Sequence, residues 1–197
     1  MKILAFTDVH TNKKLVRLIA KKASGVDLLI CSGDLSYFGE GLNESIKELL
    51  KAKKKILIIF GNHELEEQIT ELENKYDNVI DIHKKPFHIG GYTFVGYGGD
   101  GFSIHDKKME KYFSSLSKKL NKVSKLITVT HAPPGDTRLD VLPHLGHVGN
   151  LSITKGIIDL KPILHLCGHL HENFGKKDRI GRTLIVNPGC DGKILDI

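Results

Sequence analysis

Five short stretches of this 197-residue chain place metal-binding side chains directly after an apolar run. They are Asp8 and His10 in "ILAFTDVH", Asp34 in "DLLICSGD", Asn62, His63 and Glu64 in "ILIIFGNHE", His131 in "LITVTHAPPG", and His169 with His171 in "PILHLCGHLH". Imidazole nitrogen, carboxylate oxygen and amide oxygen are the donors that first-row divalent cations accept. In an extended chain residues two apart point to one side, so Asp8 with His10, and His169 with His171, can face a single point. A plainer reading of "GNHE" has Asn62 capping the helix expected in "ELEEQITELENK", with glycine and asparagine making the turn. The seven donors Asp8, His10, Asp34, Asn62, His131, His169 and His171 exceed what one cation needs unless one is shared. A bridging carboxylate resolves the surplus, and two metals about 3.5 to 4 Å apart form the clamp used for in-line displacement at phosphorus.

The elements that must position these groups are legible as continuous apolar runs between turn residues, the pattern of strands buried on both faces. Such runs lie near residues 2–7, 26–31, 55–60, 126–131, 162–167 and 183–187. Helical periodicity separates them: Leu15, Leu18 and Ile19 after Asn12, Ile46, Leu49 and Leu50 after Asn43, and a third helix from about 65 to 75. The stretch "FHIGGYTFVGYGG" over 87–99 reads as a hairpin turning at Gly90 and Gly91, and a helix follows near 106–121. The carboxyl end reads as short antiparallel strands. The expected fold class is α/β: two packed mixed β-sheets flanked by helices, in one domain over residues 1–197. In open α/β sheets ligands bind where the carboxyl ends of parallel strands share an edge, and the candidate donors sit at or just past those ends.

The ordered series "DVH", "GD", "GNHE", a histidine after a strand and "GHLH" resembles the five blocks of the calcineurin-like metallophosphoesterase superfamily, from residue 8 to residue 171. The "NPG" at 187–189 resembles a further block of its small bacterial and archaeal members. The resemblance implies a four-layer sandwich and two divalent metal ions per chain, manganese first, with iron, nickel, cobalt or zinc also tolerated by a ligand set without thiolate. It assigns Asp8, His10 and His171 to one metal, Asn62, His131 and His169 to the other, and Asp34 to the bridge. His63 becomes the non-ligand histidine that protonates the leaving oxygen, while a hydroxide bridging the metals attacks phosphorus in line. The implied substrate is a small phosphomonoester or phosphodiester, since the same core serves both. Glu64 is expected to be structural, as a carboxylate in the first turn of a helix, with orientation of His63 as the alternative.

Other groups are weighed against plainer roles. Arg138, and His144 and His147 in "LPHLGHVGN", are candidate substrate contacts. His165 lies within a strand and reads as a hydrogen-bonded core residue. His83, His88 and His105 read as surface or hairpin positions, and Lys84 and Lys85 as solvated. Segments 33–43, 98–106 and 134–150 are expected to form the rim of the cleft.

Composition sets the outer bounds. Hydrophobic residues at 40% and charged residues at 26% exclude a disordered chain. Cys31, Cys167 and Cys190 are odd in number and lack CxxC spacing, which points to a reducing compartment rather than a disulfide framework. The amino terminus lacks the apolar stretch of a signal peptide, and no run is long enough to span a membrane, so a cytoplasmic location is expected. The net charge of +6 comes from lysine runs such as "KAKKK" and "KKLNKVSK", read as solvated faces. Only four of the 29 basic residues are arginine, which disfavours nucleic acid as a partner. Two rivals follow: a nuclease of the same superfamily, and an interaction module that kept the fold without catalysis. The presence of His63 beside every expected ligand argues against the module. Oligomeric state stays open.

Overall fold

In β1 (Lys2–Phe6), Ile3 and Ala5 face one side and Leu4 and Phe6 the other, and all four are buried. That double burial is why the run carries no polar alternation. The computed structural model describes residues 1–99, 101–120 and 125–197. Strands β2 (Leu28–Cys31), β3 (Lys55–Ile58) and β4 (Val79–Asp81) continue the sheet in parallel, each beside the one before. The second sheet uses β5 (Phe87–Ile89), β6 (Tyr92–Tyr97), β7 (Leu126–Thr130), β10 (Leu164–Leu166), β11 (Lys177–Ile180) and β12 (Thr183–Val186) in the order β11-β12-β10-β7-β6-β5. A small hairpin, β8 (Val141–Leu142) with β9 (Gly146–His147), stands apart. The last strand, β13 (Lys193–Asp196), pairs antiparallel with β1 and completes the first sheet in the order β13-β1-β2-β3-β4.

The sheets pack face to face through Ile3, Ala5, Leu28, Ile30 and Leu57 from the first against Phe94, Ile127, Val129, Leu164 and Val186 from the second. Helices α1 (Lys13–Lys22), α2 (Leu42–Leu50) and α3 (Glu66–Lys75) cover the outer face of the first sheet, setting Val16, Ile19, Ile46, Leu49 and Ile69 on Leu4, Phe6, Leu29 and Ile58. Helices α4 (Lys107–Lys119) and α5 (Leu151–Leu160) cover the second sheet through Met109, Phe113, Ile153 and Ile157. Each fully buried side chain of this kind contributes about 1.5 to 3 kcal/mol. The result is the expected α/β arrangement of two mixed sheets flanked by helices. Among the described residues no helix is long and apolar enough to cross a membrane.

Departures from expectation are local. Helix α2 begins after Gly41, and Asn43 lies inside it, accepting from Tyr76 Oη at 2.8 Å and Lys75 Nζ at 3.1 Å instead of capping. Helix α3 follows Leu65, so Asn62 is released from the capping role. Asp106 caps α4 through Lys108 and Met109 N–H groups, and the expected end of that helix at 121 lies outside the described residues. The hairpin of β5 and β6 forms as expected, but β6 also pairs in parallel with β7 and is buried throughout. Strand β4 and helix α5 are additions to the elements expected from sequence.

Candidate metal centre

The loops after β1, β2, β3, β7 and β10 converge and bring together Asp8, His10, Asp34, Asn62, His63, His131, His169 and His171. The local geometry differs from the extended chain assumed for the two pairs. Asp8, His10, Asp34 and His169 have φ of 52°, 46°, 53° and 69°. A left-handed backbone at non-glycine residues costs about 1 to 3 kcal/mol each and persists only where the surroundings impose it. The consequence is that His169 and His171 diverge: His171 joins Asp8 and His10, while His169 packs against His131.

In the first group His171 Nε2 lies 3.5 Å from Asp8 Oδ1 and 3.4 Å from His10 Nε2. His10 Nδ1 is 3.2 Å from the carbonyl of Ser36, which can only accept, so Nδ1 carries the hydrogen and Nε2 turns a lone pair inward. The second group repeats this design. His131 Nδ1 donates to the Ser32 carbonyl at 2.9 Å, and Nε2 faces Asn62 Oδ1 at 3.0 Å, Asp34 Oδ2 at 3.3 Å and Asp8 Oδ1 at 4.0 Å. His169 Nε2 and Asp8 Oδ1 are buried with no hydrogen-bond partner among the described residues. Each carboxylate has one oxygen tied to the protein: Asp8 Oδ2 accepts from Thr7 Oγ1 at 2.7 Å and the His169 N–H at 2.9 Å, and Asp34 Oδ1 accepts the His63 N–H at 2.9 Å. The other oxygen of each faces the centre. Converging acceptors with orphaned members fit a cation and little else.

The electrostatics agree. Burial opposes charge on Asp8 and Asp34, yet both carboxyls lie below the usual carboxylate range, because His171, His131 and Thr7 outweigh burial at Asp8, and His131 and the His63 N–H do so at Asp34. Burial alone would lower the His131 pKa, but the hydrogen bond to Asp34 and the charge of Asp8 raise it to about 9. His169 falls to about 4, through burial and the adjacent charge of His131. Two buried carboxylates thus hold a positive charge at the centre even when it is only a proton. A divalent cation meets the same demand with more charge.

The packing beneath is equally specific. A Cβ at Gly61 would collide with the Asp34 carboxylate, and one at Gly168 with Thr7 and Asp8. These motif glycines make room for the carboxylates themselves. Glu64 is buried and structural, but by a different means from that expected: helix α3 starts beyond it, and its carboxylate accepts from the N–H groups of Asp34, Ser36 and Gly61 and from Ser36 Oγ. His63 stacks edge-on against His10 with centroids 4.7 Å apart, and its Nε2 lies 3.8 Å from Asp34 Oδ2.

Arg138, His144 and His147 are exposed, and the contacts described for them lie away from this cluster. The Arg138 N–H donates to Asp178 Oδ2 at 2.9 Å. His147 Nδ1 pairs with Asp140 Oδ1 at 2.7 Å, and the buried Asp140 carboxylate also gathers the N–H groups of Asp136, Thr137 and Gly149, which staples the loop. His165 is a core residue as expected, between Thr128 Oγ1 and Thr130 Oγ1. His83 is buried rather than at the surface, accepting the Gly98 N–H at Nδ1. Lys85 is paired with Glu73 and Asp81. Segments 33–43 and 98–106, expected at the rim, bring aromatic rings to the cluster that the sequence did not single out: Tyr37 and Phe38 against His63, and Phe102 against His169.

Comparison with known proteins places this arrangement. The chain is 33% identical over 198 residues to the uncharacterized protein MJ1162 of Methanocaldococcus jannaschii, covering 95% of this chain and 88% of that one. Its fold is shared with TT1561 of Thermus thermophilus at a TM-score of 0.77 and 17% identity, covering 95% and 88% of the two chains. It is shared also with a dimetal phosphatase from Danio rerio at 0.64 and 11%, covering 94% and 86%. A model of the calcineurin-like phosphoesterases matches residues 1–173, and the chain accordingly belongs to that family of metal-dependent phosphoester hydrolases.

Proposed function

We propose that the chain acts as one catalytic domain, a two-metal phosphoesterase of small phosphomonoesters or phosphodiesters working in the cytoplasm. Asp8, His10 and His171 would hold one cation, Asn62, His131 and His169 the other, with Asp34 shared. The observation that carries this reading is the position of Asp34, which groups with His10 and His63 on one side and with Asp8 and His131 on the other, all ligand atoms within 4.8 Å in each group. The dimetal phosphatase that shares the fold supports the count of two. Manganese heads the choice of metals, with iron, nickel, cobalt and zinc also compatible with nitrogen and oxygen donors. Bound there, the cations lower the pKa of water and neutralise charge on the phosphoryl oxygens.

The chain's own residues do the rest. The Ser32 and Ser36 carbonyls fix the tautomers of His131 and His10, so that both present Nε2 without rearrangement. His63 Nε2, the ring nitrogen beside Asp34, gives its proton to the leaving oxygen as the ester P–O bond breaks and oxygen from water bonds to phosphorus. Arg138, His144 and His147 would serve the outer rim only. The test is metal content per chain together with hydrolysis of nitrophenyl monoester, nitrophenyl diester, cyclic nucleotides and short DNA under several metals. Two bound metals and turnover of the small esters are expected. A preference for DNA would favour the nuclease, and no turnover with two metals bound would favour the interaction module.

A further inference from the structure

Phe38 is 67% exposed and has φ of 51°. Both facts run against folding stability. A bulky residue in the left-handed region costs about 1 to 2 kcal/mol, and an exposed ring recovers little by burial. Glycine or asparagine would suit the position better. The backbone is nevertheless fixed there. Tyr37 and Glu40 close a bridge around Phe38 and Gly39, with the Glu40 N–H donating to the Tyr37 carbonyl at 3.0 Å. Gly39 has φ of 82° and donates its N–H to Ser36 Oγ at 3.1 Å, and Ser36 Oγ donates to Glu64 at 2.7 Å. The turn is therefore bolted to the same carboxylate that positions Asp34.

What this turn accomplishes is the placement of two rings on His63. Phe38 lies 4.3 Å from His63 between centroids and Tyr37 lies 5.2 Å away, with Tyr37 and Phe38 packed edge-on at 5.0 Å. A recess opens beside Phe38, lined by Phe38, Asn62, His63, Glu64, Leu65 and Gln68, and Leu65 is itself 64% exposed. A partly apolar slot with the Phe38 ring as one wall thus adjoins the imidazole assigned to the leaving oxygen.

We propose that this slot selects substrates whose leaving alcohol carries a planar aromatic ring, stacked on Phe38 beside His63. The inference rests on the phosphoesterase reading and deepens it by naming the leaving-group class. An aryl alcohol and a nucleoside share the required chemistry.

Two substrate pairs test it with the metal-loaded protein. Benzyl phosphate is compared with cyclohexylmethyl phosphate, which matches its size and alcohol type without a planar ring, and a nucleoside monophosphate is compared with ribose phosphate. At least one aromatic member should be preferred by roughly 3- to 10-fold in kcat/KM, the range of aromatic pair energies. Which pair responds identifies the source of the ring. Phe38→Leu should abolish the preference chiefly through KM, and Phe38→Tyr should retain it. Phe38→Gly should also abolish it while melting at the same temperature or higher, because the strain is relieved. A purely structural Phe38 would instead lower the melting temperature. Calorimetric binding of benzylphosphonate against cyclohexylmethylphosphonate separates this proposal from the hydrolytic one. A Phe38-dependent binding preference without turnover of any ester would overturn hydrolysis and leave the aromatic slot standing. Turnover with no preference in either pair, and equal binding of the phosphonates, would overturn the slot alone.

Discussion

Glu64 Oε2 accepts the main-chain N–H of Asp34 at 2.9 Å, so the residue that follows "GNH" sets the backbone of a carboxylate that belongs to two of the donor groups. The same carboxylate reaches Gly61 and Ser36, and thereby locks the loop after β2 to the loop after β3. Glu64→Ala leaves several buried donors unpaired and is expected to cost about 3 to 5 kcal/mol in urea unfolding. Glu64→Gln turns one acceptor into a donor facing donors and should lower metal affinity about 10- to 100-fold, as outer partners of metal ligands do. Metal titration of the Gln variant at unchanged helix content checks it.

Asp34→Asn should damage both proposed metal sites, since Asp34 groups with His10 and His63 on one side and with Asp8 and His131 on the other. His10→Ala should reduce content toward one metal per chain and spare the group around His131. Metal analysis of the two variants decides this: two tightly held metals and full turnover in the Asp34 variant would refute the shared carboxylate.

His63→Ala should slow an alkyl phosphoester far more than a nitrophenyl one, because an alkoxide needs a proton to depart and a nitrophenolate does not. The expected loss on the alkyl ester is about 10² to 10⁴ in rate, at unchanged metal content. An equal loss on both esters would replace proton donation with stabilisation of transition-state charge.

His165 predicts a pH dependence of stability away from the metals. Burial lowers its pKa from 6.5 to about 3, and the hydrogen bonds agree: Thr130 Oγ1 gives its hydrogen to the Ala132 carbonyl, so it accepts from His165 Nε2, and Thr128 donates to Nδ1. The imidazole is neutral in the native state and takes a proton on unfolding anywhere between those two values. Its contribution is therefore complete above pH 6.5 and lost as the pH falls toward 3. Between pH 7 and pH 5 this amounts to about 2 kcal/mol. Urea unfolding of His165→Gln at the two pH values should show a pH difference smaller by about that amount, whatever the variant's absolute stability.

The strands and the ligand series are legible in the sequence for one reason: each donor follows an apolar run whose two buried faces leave a continuous signature, so position and chemistry are read together. Helix α5 is hidden because Thr154, Gly156 and successive isoleucines give a poor helical pattern. Gly156 is there for packing, since a Cβ would strike Phe113 of α4. The start of α2 is misplaced by Asn43, whose side chain bonds to Tyr76, distant in sequence and close in space. Glu64 and Phe38 are opaque for the same reason. Their partners lie on other loops, and only the folded chain shows that Glu64 holds Asp34 or that Phe38 covers His63. The pair reasoning for Asp8 with His10 and for His169 with His171 assumes an extended backbone, which left-handed φ values replace.

The donors also come from both sheets: Asp8, Asp34 and Asn62 follow strands of the first, His131, His169 and His171 those of the second. His10 and His171, 3.4 Å apart, are separated by 161 residues along the chain. Such distant pairs close late, once the two layers have docked, because loop entropy must be overcome first. A cation lodged among them acts as a clasp between layers. Its stabilisation should fall on the rate of opening and leave the rate of refolding nearly untouched. Chelation would then shorten the lifetime of the native protein without making it slower to form, and resistance to proteolysis in the cell would track metal supply.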